Sequence, residues 1–139
     1  MSAKLSLTVA TRLEELEGLA ASVEDFAQEQ DWLTDLTFQV NLVLEELWLN
    51  VVNHGHDNGE HVVEIEMTSE AESLTIQITD DGKPFNPLEN APVPDVTAAL
   101  GDRSIGGLGV HLVRTMMDEM RYSREGGKNH LILVKRRVE

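Results

Sequence analysis

The chain contains no cysteine among its 139 residues, so disulfide bridges and thiolate-bound zinc or iron–sulfur centres are excluded. No apolar run exceeds four residues, whereas a membrane-spanning helix needs about 18 or more. The beginning of the chain, MSAKLSLTVATR, also lacks the apolar region of a signal peptide. These absences predict a cytoplasmic protein that does not cross a membrane.

Positive charge is scarce. The chain has 11 Lys and Arg against 25 Asp and Glu, a formal net charge of −14, which disfavours direct binding to nucleic acid or anionic lipid. Residues 1–102 hold 3 basic and 21 acidic side chains, while residues 103–139 hold 8 and 4. The basic C-terminal quarter indicates a surface for a phosphate ligand or an acidic partner, or simply a solvated strand end.

The apolar pattern predicts one α+β domain over residues 1–139. Alternating residues predict five strands, at 5–9, 61–67, 73–80, 120–125 and 130–136. Helical spacing predicts three helices, at about 12–30 (directly after Thr11), 34–53 and 110–120. All four prolines lie at 84–94, so a long loop is predicted between Asp81 and Gly109. Because strands come in adjacent pairs, the expected architecture is a two-layer sandwich, with helices on one face of a mixed, mostly antiparallel sheet.

The second predicted helix carries a row of polar residues. Glu46, Asn50 and His54 follow one another at intervals of four, which places them on one helical face beside apolar neighbours. The row is either a functional site or a solvated polar strip. Glu45 and Asn53 lie at adjacent angles and are alternatives for its members.

Asp80 ends the strand SLTIQITD on the inward face, because it continues the period of two of the apolar residues before it. A buried carboxylate needs hydrogen-bond donors or a ligand. Gly82 follows closely and allows the backbone to approach a flat ligand. The alternative is an ordinary acidic turn after a strand.

A glycine cluster, Gly106-Gly107-Leu108-Gly109, lies at the start of the third predicted helix. Backbone amides there, together with the helix N-terminus, suit an anion. Arg103 is placed to reach a phosphate, or is simply a loop arginine. The cluster matches neither a P-loop nor a dinucleotide-binding fingerprint.

In their order and spacing, these three segments resemble the motifs of the GHKL ATPase superfamily, which includes gyrase and the histidine kinases. EELWLNVVNHGH is similar to the N box, Asp80-x-Gly82-x-x-Phe85 to the first glycine box, and Gly107-x-Gly109 to the second. The greatest similarity is to the anti-sigma factor serine/threonine kinases of bacterial partner-switching modules, and it extends over about residues 5–137.

The resemblance implies a Bergerat-type ATP-binding fold with a lid at about residues 85–106, and ATP and Mg²⁺ as ligands. It implies a kinase that phosphorylates an anti-sigma antagonist (STAS-type) protein, binds a sigma factor or similar regulator, and forms a homodimer. The alternatives are a nucleotide-dependent regulatory binding module with little kinase activity and a stand-alone histidine-kinase catalytic domain.

The resemblance also implies residue roles. Asp80 would accept a hydrogen bond from the adenine amine, Asn50 would be the side-chain ligand of Mg²⁺, and Glu46 would be the general base. The implied nucleotide-binding set is Asn50, Asn53, His54, Asp80, Gly82, Phe85, Arg103, Gly106, Gly107, Leu108 and Gly109.

Two positions depart from the family pattern. His56 stands where an aromatic residue is common, and Asn53 where an apolar residue is common. Neither departure removes a residue expected to contact the nucleotide, so they bear on partner identity and on phosphotransfer.

Overall fold

The computed structural model describes residues 2–12, 14–54, 61–82 and 113–137, and of residues 50–54 it describes the backbone alone. The described elements, in chain order, are β1 (Ala3–Ala10), α1 (Glu15–Glu29), α2 (Thr34–His54), β2 (Val62–Ser69), β3 (Ser73–Asp80), β4 (Glu119–Glu125) and β5 (Lys128–Arg136). None of the helices in these segments is both long and apolar enough to cross a membrane.

The five strands form one sheet in the order β1-β2-β3-β5-β4, and each neighbouring pair is antiparallel. Three of the four pairs join strands that follow one another among the described strands of the chain. The exception is β3, which pairs with β5, and β4 lies on the other side of β5. The α+β class is confirmed. The order also makes β3 the central strand and β1 and β4 the two edges.

The core lies between α1, α2 and one face of the sheet. Inward residues of the central strands are almost completely buried, as at Val63, Ile76 and Leu133, because their side chains alternate across the sheet. The apolar stripe of α2 covers them with Leu36, Val40, Val43, Leu44 and Leu47, as helical spacing predicted. Trp48 joins this core and donates its indole N–H to the carbonyl of Arg12 at 3.2 Å.

The far end of the sheet is held by Arg137, directly after β5. Its backbone N–H donates to the carbonyl of Glu72 at 2.8 Å. Its guanidinium donates to the carbonyls of Glu70 at 2.6 Å and Gln30 at 3.1 Å. The end of β5 is thus joined both to the turn between β2 and β3 and to the end of α1.

Two predicted boundaries were wrong. The first helix was predicted to begin directly after Thr11 but begins at Glu15. The chain is still tied to the sheet end at Thr11, where the N–H donates to the carbonyl of His61 and the hydroxyl accepts from the His61 N–H. The helix predicted to reach Met120 is helical only at 113–116 within the described residues. The N–H of Asp118 already donates to Val134 in β5.

Met120 explains the error. It follows Met116 by four residues, as on one face of a helix, but it lies in β4 directly opposite Leu133, on the inward face of the sheet. Met117 is buried, and Met116 and Met120 pack against the core. Their predicted role in packing is therefore correct. The predicted lid, about residues 85–106, lies outside the described part of the chain.

Candidate functional site

One row of directly opposed residues crosses all five strands at the end of the sheet where β3 finishes. The register pairs Val9 with Val63, Val63 with Asp80, Asp80 with Asn129, and Asn129 with Arg124. Directly opposed residues share a face, so the row lies on the core side. Val63 is 0% exposed, Asp80 8% and Asn129 5%. The row therefore changes from apolar to polar in the middle of the sheet.

The carboxylate of Asp80 is held by two donors on one oxygen. Its Oδ1 accepts from the backbone N–H of Gly82 at 2.9 Å and from Nδ2 of Asn129 at 3.1 Å. Among the residues that the structure describes, none donates to Oδ2. A carboxylate has several acceptor positions, so Oδ2 is the oxygen that can accept a hydrogen bond from a ligand.

The edge strand β4 supports both sides of this arrangement. The Tyr122 hydroxyl donates to Oδ1 of Asn129, which turns the amide so that Nδ2 faces Asp80. Nη1 of Arg124 donates to the carbonyl of Gly82 at 2.7 Å. The turn after β3 is therefore held by side chains of β4 and β5.

Asp81 points away from the core, as alternation predicted, and its side chain is 48% exposed. Its Oδ1 lies 3.1 Å from Nδ1 of His61, just before β2. The two consecutive acids thus have different surroundings: Asp80 is buried and hydrogen-bonded inside the sheet end, and Asp81 lies at the surface.

Glu46 is half-buried on α2, and its burial raises the pKa of its carboxyl, with a further rise from the charge of Glu45. Asn50, Asn53 and His54 continue the same helix, so their backbone positions are those that the spacing predicted. Their side chains lie outside the described part of the structure.

Sequence reasoning located part of this site. Asp80 and Gly82 lie together as expected, and Glu46 lies on the helix as expected. The remaining predicted residues fall outside the described segments: Phe85, Arg103, Gly106, Gly107, Leu108 and Gly109.

Sequence reasoning missed Asn129, Tyr122 and Arg124. A signal was present for Asn129, which precedes Leu131 and Leu133 at the inward period of two. The predicted strand began two residues too late, at His130 instead of Lys128, and so left Asn129 out.

The chain is similar to known proteins over nearly its whole length. A family model described as histidine kinase-like ATPase domain matches residues 9–135. The chain is 31% identical over 132 residues to the serine/threonine-protein kinase BtrW of Bordetella bronchiseptica, covering 94% of this chain and 89% of the relative. It is 28% identical over 134 residues to the anti-sigma F factor of Clostridium acetobutylicum, covering 96% and 93%.

Solved structures show the same fold at lower identity. A Mycobacterium tuberculosis protein with RsbU and RsbW domains superimposes with a TM-score of 0.65 at 14% identity, over 97% of this chain and 32% of that one. The histidine kinase AdeS of Acinetobacter baumannii superimposes with a TM-score of 0.54 at 12% identity, over 97% and 68%.

The raised pKa of Glu46 predicts a pH-dependent stability. Because the folded state disfavours the charged form, ionised Glu46 destabilises the protein at any pH above its folded pKa. We expect Glu46→Gln to raise the melting temperature at neutral pH. The difference should shrink as the pH falls through the raised pKa, where the natural carboxyl takes up its proton.

Thermal unfolding at neutral and acidic pH measures this effect. Glu45→Gln is the matched control, since it removes the neighbouring charge and should lower the pKa of Glu46 towards its ordinary value. A Glu46→Gln protein that melts below the unsubstituted protein at neutral pH would contradict the assignment.

Proposed function

Since the chain belongs to the histidine kinase-like ATPase domain family, we propose that it binds ATP with Mg²⁺ and acts as a serine/threonine kinase on an anti-sigma antagonist protein. One relative is named a serine/threonine-protein kinase and another an anti-sigma factor, which supports this assignment. The proposal includes a cytoplasmic setting, a STAS-type antagonist as the substrate, and a sigma factor or similar regulator as a second partner.

The observation that carries the nucleotide assignment is the carboxylate of Asp80. It is buried at the sheet end, held on Oδ1, and able to accept through Oδ2. The exocyclic amine of adenine is a donor that fits this oxygen. The corresponding group of guanine is a carbonyl acceptor, which would face the carboxylate with like polarity, so the arrangement favours adenine.

Asn50 is the proposed side-chain ligand of Mg²⁺. It lies one helical turn after Glu46 on α2, and its amide offers an oxygen of the kind this ion prefers. Bound Mg²⁺ would neutralise phosphate charge. The loop residues Arg103, Gly106, Gly107, Leu108 and Gly109 are proposed to contact the phosphates, and Asn53, His54 and Phe85 complete the nucleotide site.

Glu46 is the proposed general base. Burial raises the pKa of its carboxyl and so strengthens its affinity for a proton. In the proposed reaction, the serine or threonine hydroxyl of the antagonist would lose its proton to Glu46 as its oxygen bonds to the γ-phosphorus of ATP. The bond between that phosphorus and the β–γ bridging oxygen would break, and ADP would leave. The neighbouring acid, Glu45, is exposed and is the alternative base.

Replacing Asp80 tests the adenine assignment. Asp80→Asn removes the charge and leaves a weaker acceptor, so the affinity for ATP should fall by about 1.5 to 3 kcal/mol, the usual contribution of a hydrogen bond to a charged group. The unsubstituted protein should prefer ATP to GTP. Calorimetry with both nucleotides measures these affinities.

The matched control is Asp81→Asn, which changes the next acid along the chain, where the side chain is exposed. It should leave ATP affinity nearly unchanged. Equal affinity of the unsubstituted protein for ATP and GTP would refute the adenine assignment, and unchanged ATP affinity in Asp80→Asn would refute the role of Asp80.

Replacing Glu46 separates catalysis from binding. Glu46→Gln should bind ATP and the antagonist but lose about 10² to 10⁴-fold in phosphotransfer, the usual contribution of general-base catalysis. Asn50→Ala should weaken Mg²⁺-dependent ATP binding as well. The assay mixes each protein with ATP, Mg²⁺ and the antagonist encoded by a neighbouring gene, and measures phosphoserine by mass spectrometry.

Glu45→Gln is the control for this series, and it should retain most of the rate. If Glu45→Gln instead loses the activity while Glu46→Gln keeps it, Glu45 is the base. If the unsubstituted protein binds ATP and the antagonist without phosphorylating it, the regulatory binding module replaces the kinase.

We also propose that the protein is a homodimer that associates through β1. This strand pairs with β2 on one side, and no other described strand pairs with its outer edge. Leu5 and Leu7, on its core face, are only half-buried. An open edge offers backbone groups to a second copy. Light scattering at tens of micromolar should give twice the chain mass, and a monomeric mass would refute the dimer.

A further inference from the structure

The turn that follows β3 is hydrogen-bonded on both sides of Gly82. Its N–H, which belongs to the peptide between Asp81 and Gly82, donates to Asp80. Its carbonyl, which belongs to the next peptide, accepts from Arg124. Glycine has the widest backbone freedom of any residue. These two hydrogen bonds therefore fix the orientations of the two peptide planes that flank Gly82, the residue of the turn with the greatest backbone freedom.

Arg124 is placed for this contact by the register of the sheet. It lies directly opposite Asn129, which lies directly opposite Asp80, so all three belong to one inward row. From the edge strand, Nη1 of Arg124 donates to the Gly82 carbonyl at 2.7 Å. A hydrogen bond from a charged donor at this distance is about twice as strong as one between neutral groups.

Tyr122, two residues earlier on β4, supports the same row in a second way. Its hydroxyl donates to the carbonyl oxygen of the Asn129 side chain, so the amide presents Nδ2 to Asp80. The edge strand thus acts on the carboxylate through Asn129 and on the glycine backbone through Arg124. Neither side chain needs to contact a nucleotide to influence where Asp80 and Gly82 lie.

We propose that Arg124 and Tyr122 are positioning residues for purine selection, through which the edge strand β4 sets the orientation of the Asp80 carboxylate and the Gly82 backbone. This inference rests on the proposed nucleotide site. Discrimination between adenine and guanine depends on the direction in which Oδ2 points, so it is more sensitive to small displacements than affinity contributed by the phosphates.

The same strand contains a matched control. Arg121 has the opposite parity from Arg124, so it points to the other face of the sheet, where it is exposed and pairs with Glu119 at 3.1 Å. Replacing Arg121 removes the same charge from the same strand and leaves the row with Asp80 unchanged.

Calorimetry with ATP and with GTP tests the proposal, with the nucleotide-free melting temperature measured in parallel. Arg124→Met should weaken ATP binding by about 3- to 10-fold, as for substitutions that act through a contact network. GTP binding should change less, so the ratio of the two affinities should fall. Arg121→Met should leave both affinities and their ratio unchanged.

Two further variants keep the test decisive if Arg124→Met destabilises the fold. Arg124→Lys keeps a charged donor and should restore part of the selectivity. Tyr122→Phe should lower the selectivity for ATP over GTP, with little loss of packing. If Arg124→Met and Tyr122→Phe have the same ratio of ATP to GTP affinity as Arg121→Met, the inference about β4 is refuted, while the proposed nucleotide site is not affected. If the unsubstituted protein does not prefer ATP to GTP, both this inference and the proposed adenine assignment are refuted.

Discussion

Burial of one carboxylate at the end of the central strand is the constraint on which the rest of the site depends. Asp80 is 8% exposed beside apolar residues of the same sheet. An ionised carboxylate without donors in such a place would cost several kcal/mol. The chain supplies two donors, from Gly82 and Asn129, on a single oxygen. Because both donors bind Oδ1, Oδ2 is the oxygen of Asp80 that is left for a ligand.

This solution depends on the register of the sheet. A slip of one residue between β3 and β5 would turn Asn129 to the outer face and bring Lys128 or His130 opposite Asp80. The register is held at the far end by Arg137, which joins the end of β5 to the turn between β2 and β3. Hydrogen bonds a full strand length from the site therefore contribute to the position of its carboxylate.

These facts explain how much of the molecule was predictable. Alternation located β3 to the residue and predicted that Asp80 faces inward, because a half-buried strand leaves a local pattern of period two. Helical spacing located α2 and its buried stripe. Local patterns carry no information about which strand lies beside β3, and here β5 does so with β4 outside it. The contacts of Asn129, Tyr122 and Arg124 come from that pairing.

The negative charge of the protein explains why different groups are proposed to contact the different parts of the nucleotide. The chain carries a net charge of −14, and the proposed site contains two carboxylates, Asp80 and Glu46, whereas its proposed ligand is a polyanion. Carboxylates would repel phosphates at close range. Asp80 therefore suits the amine end of the nucleotide, and Glu46 suits the acceptor hydroxyl.

The phosphates must then be met by backbone amides, Mg²⁺ and the basic C-terminal quarter. Within that quarter, Arg124 is committed to the carbonyl of Gly82 and Arg137 to those of Gln30 and Glu70. Both act on backbone groups of the protein itself. These two arginines therefore stabilise the protein's own backbone, and Arg103 together with the glycine cluster after the predicted lid carries the proposed recognition of phosphate.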